Sequence, residues 1–477
     1  MHRLWLLAAV GLSSPAWANE HDEAKPPAST PSEERMRQME ERLKLLEQRL
    51  EASHIALSPP LSLAPPPVEA DHRGLPAPLE SPPFPSGEWL GNPIGVAGET
   101  PGFVFRDLLK NSRVKIYGWA NASINASTSK QTNLPDSYDV VPNSFQLDQL
   151  VLRIERQPDT VQTDHIDWGF RFTNLYGIDY RFTTSKGWLS DQLLKHNQLY
   201  GYDPVETYLM LYVPKVAEGM LIKVGRYISP PDIEAQLAPD NYLFSHSIMF
   251  TYDPYTFTGA QAYIRLTRHW QLELGIHAGN DMAPWVNSAQ VNGQAMVRWV
   301  SESNNDSLWG GINSIGRGKY KDEHDDLQMI VATWGHRFNR RLHMMTEAYY
   351  IWQFDAARGG SCIDAPSHDF APGGGCGAII PGRTDSIGAV NYFQVLVTKG
   401  DYVSIRQDLF WDRQGQRSGF ATLYTSHTIG FVHAFNELFM VRPEIRYERA
   451  WTNGATPYDN GVRADQVKFA IDGILRF

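Results

Sequence analysis

From about Arg113 to Phe477 the chain is a series of sixteen alternating runs rich in Val, Ile, Leu, Tyr, Trp and Phe, and the connections between them differ by parity. The runs fall near 113–126, 144–157, 164–176, 205–213, 219–228, 257–267, 269–277, 291–301, 307–315, 325–338, 341–354, 386–397, 401–412, 424–435, 439–451 and 465–477. After even runs the connections are short, "TR", "NR", "TKG" and "FNE" among them; after odd runs they are mostly long, culminating in 177–204, 229–256 and 355–385. An even number of strands with tight turns at one end and loops at the other is the layout of an up-and-down transmembrane barrel. A Greek-key sandwich has no reason to sort its loops this way.

The faces of the runs agree with lipid outside and water inside. In the third run Ile166, Trp168, Phe170 and Phe172 share one side, and Asp167, Arg171 and Thr173 the other. In the fifteenth, Phe439, Val441, Pro443, Ile445, Tyr447 and Trp451 oppose Met440, Arg442, Glu444, Arg446 and Glu448. A charge on the lipid face costs roughly 2–4 kcal/mol near the midplane, so the charged phase must point inward. Arg449 falls in the lipid-facing phase and is tolerable only near the strand's interfacial end. The final stretch, "DQVKFAIDGILRF", repeats the pattern, with Val467, Phe469, Ile471, Gly473, Leu475 and Phe477 on one side. It resembles the C-terminal strand signature of Gram-negative outer-membrane proteins, a terminal aromatic preceded by alternating apolar residues, which implies a bacterial outer-membrane location.

What precedes the barrel is of different character. Arg3, the apolar "LWLLAAVGL" and the small-x-small Ala16-Trp17-Ala18 read as a secretory signal peptide over residues 1–18. Beyond it no apolar run reaches the ~18 residues of a spanning helix. In a periplasmic segment at 19–57, residues 33–52 place Met36, Met39, Leu43, Leu46 and Leu50 at spacings of three and four, the seam of a short coiled-coil helix. A lone amphipathic helix is the alternative. A proline-rich stretch at 58–110 reads as a semi-rigid linker, leaving 111–477 for the barrel. The two cysteines, Cys362 and Cys376, lie in a glycine-rich loop of an exported chain and read most simply as a loop-closing disulfide. Two separate thiols are the plainer alternative, and a metal site is the least supported.

At sixteen strands a barrel leaves an aqueous channel, so its lining decides function. Inward-phase residues are Arg153, Glu155, Arg171, Arg406, Asp408, Asp412, Arg442, Glu444, Arg446 and Glu448. Rows of both signs would either set a transverse field across a pore or neutralise one another and keep the lumen wet. The stretch after the fifth run, "IKVGRYISPPDIEAQLAPDNYLFSHSIMFTYDPYTFTGAQAYI", is too long for a simple loop. Gly225 and Arg226 end the strand there, a short helix is expected through Glu234–Leu237, and Asp232, Glu234 and Asp240 could narrow the barrel mouth.

This stretch is similar to the motif region of the outer-membrane β-barrel porin family called OmpL-like. That pattern has a Gly-basic strand end, an acid, an Asn, then a Ser-rich aromatic run closing on Pro and Thr-Gly. The matching positions are Gly225, Arg226, Glu234, Asn241, Ser247, Pro254, Thr258 and Gly259, and the resemblance covers roughly 110–477. It implies a passive pore for small hydrophilic solutes. "FMVRPEIRYERA" also resembles the penultimate strand of diffusion porins. A helix ahead of a barrel is similar to the layout of sugar-specific porins with coiled-coil extensions, which makes sugars a candidate solute and a homotrimer attractive.

Other functions fit less well. The 15 histidines show no H-E-x-x-H spacing and there is no G-x-S-x-G, so no enzyme, cofactor or catalytic metal is expected. A net charge of -10 argues against nucleic acid. The expected partners are membrane lipid and lipopolysaccharide, with "KYKDEHDD" at 319–326 a solvated outer loop that could hold divalent ions among the lipopolysaccharide. The rival reading is a structural or adhesive barrel that tethers the envelope through its N-terminal helix.

Overall fold

The computed structural model describes residues 112–477 except 231, 304, 340, 362–376, 399 and 437, together with Lys44. The expected signal peptide, linker and Cys362–Cys376 bridge, and all of the expected coiled-coil helix except Lys44, lie outside the described residues. No described helix is long and apolar enough to cross a membrane.

Sixteen strands among the described residues form one closed antiparallel barrel in which each strand pairs with its sequence neighbours. They are β1 (Val114–Ser127), β2 (Phe145–Arg156), β3 (Asp167–Gly177), β4 (Gly201–Val213), β5 (Met220–Ile228), β6 (Thr256–Arg265), β7 (Trp270–Asn280), β8 (Asn292–Val300), β9 (Asp306–Ile315), β10 (Gln328–Arg337), β11 (Leu342–Phe354), β12 (Arg383–Thr398), β13 (Asp401–Asp412), β14 (Thr422–Ala434), β15 (Phe439–Ala450) and β16 (Asp465–Arg476). Every expected run is a strand. The largest displacement is the start of β4, expected at 205 and found at Gly201. Pro204 hides it from a sequence reading, because proline cannot donate to a ladder; it sits where the β3–β4 register shifts, at an irregularity that needs no donor. β5 likewise runs two residues past Arg226 to Ile228.

Connections after even strands span 2 residues (399–400) to 10 (157–166), and those after odd strands 9 (413–421) to 28 (355–382). We number the latter L1 to L8. Alternation is strict along β3, where Trp168 and Phe172 are exposed while Asp167, Arg171 and Thr173 are buried. In β15 Arg442, Glu444, Arg446 and Glu448 are all buried inward. Arg449 is exposed on the outer face with its guanidinium 4.9 Å from the Trp451 ring, at the strand's outer end.

Closure is made by β1 against β16, from Trp119 opposite Arg476 to Ser127 opposite Lys468. The ladder continues to the last residue: Gly118 N donates to Phe477 O at 2.9 Å, and Phe477 N to Gly118 O at 3.0 Å. The Phe477 ring lies over Gly118, where an added Cβ would come 2.8 Å from the ring and 2.0 Å from the Val151 carbonyl oxygen. Glycine is therefore required at this seam for packing. Replacing Gly118 with valine should destabilise the closed barrel by about 1–3 kcal/mol, the usual penalty of overpacking. The check is the heat-modifiable mobility of the folded protein on gels, whose transition should move to lower temperature.

Candidate channel constriction

L3, residues 229–255, has little regular structure to satisfy its own peptide groups. It contains a 3-10 turn at Ala238–Asp240 and α2, a five-residue helix at Ile248–Tyr252; the four-residue α1 is Asp191–Leu194 in L2. L3 runs inward along the wall made by β11 to β16 and β1 to β2. Tyr242 packs on His343 and Tyr402, each the second residue of its strand from the short-turn end, with ring centroids 5.6 and 6.2 Å apart. The loop therefore reaches far down the lumen. Tyr252 stacks on Phe410 at 4.9 Å, and the Tyr349 hydroxyl donates to Met249 O at 2.6 Å.

The expected helix at Glu234–Leu237 is not formed. Its backbone groups are engaged by side chains of the same loop: Ala235 N donates to Asn241 Oδ1 at 2.7 Å, and the His246 ring nitrogen lies 2.7 Å from Ala235 O. Glu234 accepts from Ser247 N at 2.9 Å. Ser247 in turn caps α2 by accepting from Phe250 N at 3.2 Å, a standard N-cap bond. Glu234, Asn241 and Ser247, three of the motif positions, thus cross-link the loop to itself.

The wall supplies the rest, and it does so with both signs. Carboxylates take the loop's N–H groups: Glu444 accepts from Phe244 N at 3.0 Å and Ser245 N at 3.1 Å, Asp408 from Ile248 N at 3.1 Å, and Glu347 from Ile233 N at 2.9 Å. Guanidiniums take its carbonyls. Arg442 donates to Ala238 O at 2.9 Å and Asn241 O at 2.7 Å, while Arg406 bonds Ser245 O and, at 3.0 Å, Ser245 Oγ. Arg446 bonds His246 O and reaches Asp136 of L1 at 2.7 Å. Buried peptide groups must find partners, and charge-assisted bonds are the strong ones available. Gln149 of β2 adds an amide clamp, accepting from Ala238 N at 3.0 Å and donating to Gln236 O at 2.9 Å.

Behind these contacts the charges pair. Arg442 meets Asp472, Arg446 meets Glu448 at 2.6 Å, Arg406 lies 3.4 Å from Glu234 and 3.5 Å from Asp408, and Lys468 meets Asp136 and, at 2.8 Å, Asp139. A second network stands on β2 to β4, where Arg153 pairs with Glu206 at 2.8 Å and Arg171 with Glu155 at 2.9 Å and Glu206 at 3.3 Å. Arg226 is fully buried against Asp203 at 2.6 Å and the Thr183 carbonyl of L2. Asp232 and Asp240 are half-buried on L3. The fourteen lumen and loop residues singled out by sequence thus divide into a group that seats or belongs to L3 and a paired wall group, with Arg226 joining β5 to β4 and L2 and Asp412 accepting from the N–H groups of Gly415, Gln416, Arg417 and Ser418 in L7.

Sequence reasoning missed several partners. Glu347 sits in the inward phase of β11 and could have been found by that alternation. Asp136 and Asp139 lie in L1, which has no periodicity to read. L1, L2 and L3 also meet in an aromatic cluster, with Tyr138 stacked on Phe182 at 4.8 Å and on His246 at 4.0 Å.

Truncating Arg442 to alanine removes its bonds to two loop carbonyls, of which Ala238 O keeps the Asn241 N–H at 3.3 Å, and strands Asp472 without its cation. A loss of roughly 3–5 kcal/mol in urea unfolding is expected, as for breaking a buried pair. At the far end of L3, Asp281 accepts from Thr256 N at 2.7 Å and Tyr255 N at 3.3 Å, and burial pushes its carboxyl from 3.8 up to about 6. Because the folded value is the higher one, Asp281 contributes stability that is complete below about pH 4 and lost as pH rises through about 6. Asp281→Asn should therefore flatten part of the fall in unfolding temperature between about pH 4 and pH 7.

Residues 113–477 match the sequence profile of the family described as "Putative beta-barrel porin-2, OmpL-like". No curated protein matches the chain. Among solved structures, OprB of Pseudomonas putida aligns over 78% of this chain and 96% of its own at 10% identity and a TM-score of 0.48. The anion-selective porin of Comamonas acidovorans aligns over 76% and 99% at 9% identity and a TM-score of 0.46. The outer-membrane channel DcaP of Acinetobacter baumannii aligns over 76% and 97% at 9% identity and a TM-score of 0.44.

Proposed function

The chain belongs to the OmpL-like β-barrel porin family, and from that premise we propose that it is a bacterial outer-membrane channel for passive diffusion of small hydrophilic solutes, with L3 as its constriction. The observation that carries the reading is the seating of L3. Acids and bases of the inner wall hold a long irregular loop against one side of the lumen, which narrows the bore and leaves the opposite wall to line it. Passage then needs no catalytic group: solute size is limited by the space beside L3 and charge preference by the residues that face it.

The close pairing of wall charges favours a neutral, hydrated lining over one strong field of a single sign. Neutral polar solutes suit such a lining, and sugars are the candidate class within them. We place the N-terminal helix in the periplasm, where the proline-rich linker would separate it from the barrel, and the Cys362–Cys376 bridge in L6. The helix would zip with those of two further copies to support a homotrimer.

The test is conductance of the purified protein in a planar bilayer. Stable open steps are expected, with a reversal potential near zero in a salt gradient and concentration-dependent block by a permeant sugar. Silence at every voltage from protein shown to be folded would overturn the channel reading in favour of the tethering barrel.

A further inference from the structure

Three carboxylates meet where the two ends of L3 approach the wall. Asp232 lies near the start of the loop and Asp253 near its end, while Glu347 is carried in the inward phase of β11. One oxygen from each lies within 4.8 Å of the other two. Glu347 is 1% exposed and Asp253 4%, whereas Asp232 is half-buried and leaves the cluster a route to solvent.

The loop's own donors satisfy this cluster in part. Asp232 Oδ1 accepts from Glu234 N at 2.8 Å, and Glu347 Oε2 from Ile233 N at 2.9 Å. Glu347 Oε1 and Asp253 Oδ1 are buried with no hydrogen-bond partner. Among the described residues no Lys, Arg or His pairs with any of the three. Two guanidiniums reach this part of L3 and both are committed elsewhere: Arg406 to Glu234 and Asp408, and Arg417 to Asp325 at 2.6 Å and Tyr252 O at 3.0 Å. The adjacent Glu234, by contrast, has Ser247 and Arg406. Buried anions without a counter-charge are strongly disfavoured, so the cluster calls for a positive charge from outside the chain.

We propose that Asp232, Asp253 and Glu347 hold a divalent cation of the calcium type, which fastens both ends of L3 to β11. The donors are all carboxylate oxygens, the ligands of a hard cation, with no imidazole or thiolate to favour zinc or copper. Oxygens that share one calcium at about 2.3–2.6 Å lie no more than about 5 Å apart, which the cluster meets. Calcium also tolerates an irregular shell, as a loop and a strand would present, where magnesium demands a near-ideal octahedron and keeps its water. Solvent reaching Asp232 would supply the further ligands that calcium takes. The ion would add to the hydrogen bonds that seat L3, and the site stands or falls whether or not the lumen conducts.

The experiment uses the full-length chain folded in detergent without lipopolysaccharide, stripped with a chelator and then given calcium chloride, with magnesium chloride and matched sodium chloride as controls. Calcium should raise the unfolding temperature saturably, by roughly 5 °C at a hundredfold excess over the dissociation constant, and magnesium by much less. Equilibrium dialysis should find one calcium more per chain than in Glu347→Gln, which keeps an oxygen for Ile233 N. The two unfolding temperatures should also change order. In chelator the Glu347→Gln chain, relieved of a buried charge, should unfold with the natural chain or above it; in calcium it should unfold below. A calcium shift that is absent would overturn the proposal and assign the cluster to a shared proton. A shift that magnesium equals, or that survives undiminished in Glu347→Gln, would overturn it in favour of diffuse binding at the surface. Should Glu347→Gln fail to fold, Asp232→Asn is held to the same loss of calcium and the same change of order.

Discussion

A peptide group inside a membrane has no water to bond to, and nearly every feature of this chain follows from that constraint. The sheet must close, so β16 pairs with β1 down to the final phenylalanine. Closure in turn forces alternation: each strand turns one phase to lipid and the other to the lumen, and sixteen strands enclose a lumen wide enough to need filling or wetting.

The same requirement explains the inner charges. L3 brings a stretch of irregular backbone into the barrel, and its one turn and one short helix pair only some of its own peptide groups. Its donors go to Glu444, Asp408 and Glu347, and its acceptors to Arg442, Arg406 and Arg446. Charges of both signs on one wall are therefore what a two-signed main chain demands, and they neutralise each other behind it. A wall of one sign would satisfy only half of the loop. L3 is thus held by side chains of the strands it covers, far apart in sequence, which on the proposed reading couples the bore of the channel to the integrity of the barrel.

How far this could be read from sequence depended on periodicity. The strands were legible because alternation and loop parity are local signals that repeat sixteen times; even Arg449, in the lipid phase, sat where an interfacial end was expected. Pro204 hid the start of β4 because a proline that falls at a ladder irregularity looks like a strand boundary. L3 was legible as a place but not as a shape. The stretch "SPPDIEAQLAPD" suggested a short helix at Glu234–Leu237, whereas Asn241 and His246 divert Ala235's backbone groups and Glu234 is committed to Ser247. Arg406, Asp408, Arg442, Glu444 and Arg446 were recognisable as inward-facing, but which backbone atoms they hold is set by a loop some 160 to 200 residues away in the chain. No short-range pattern encodes that.

The central claim is that L3, held by the wall charges, sets the bore. Its most direct test is the size limit for sugars of increasing length in proteoliposome swelling, comparing the natural chain with one in which residues 232–250 are replaced by a short glycine-serine linker. The account predicts that the shortened chain still folds as a barrel and admits distinctly larger sugars. An unchanged size limit in a folded barrel lacking L3 would contradict it.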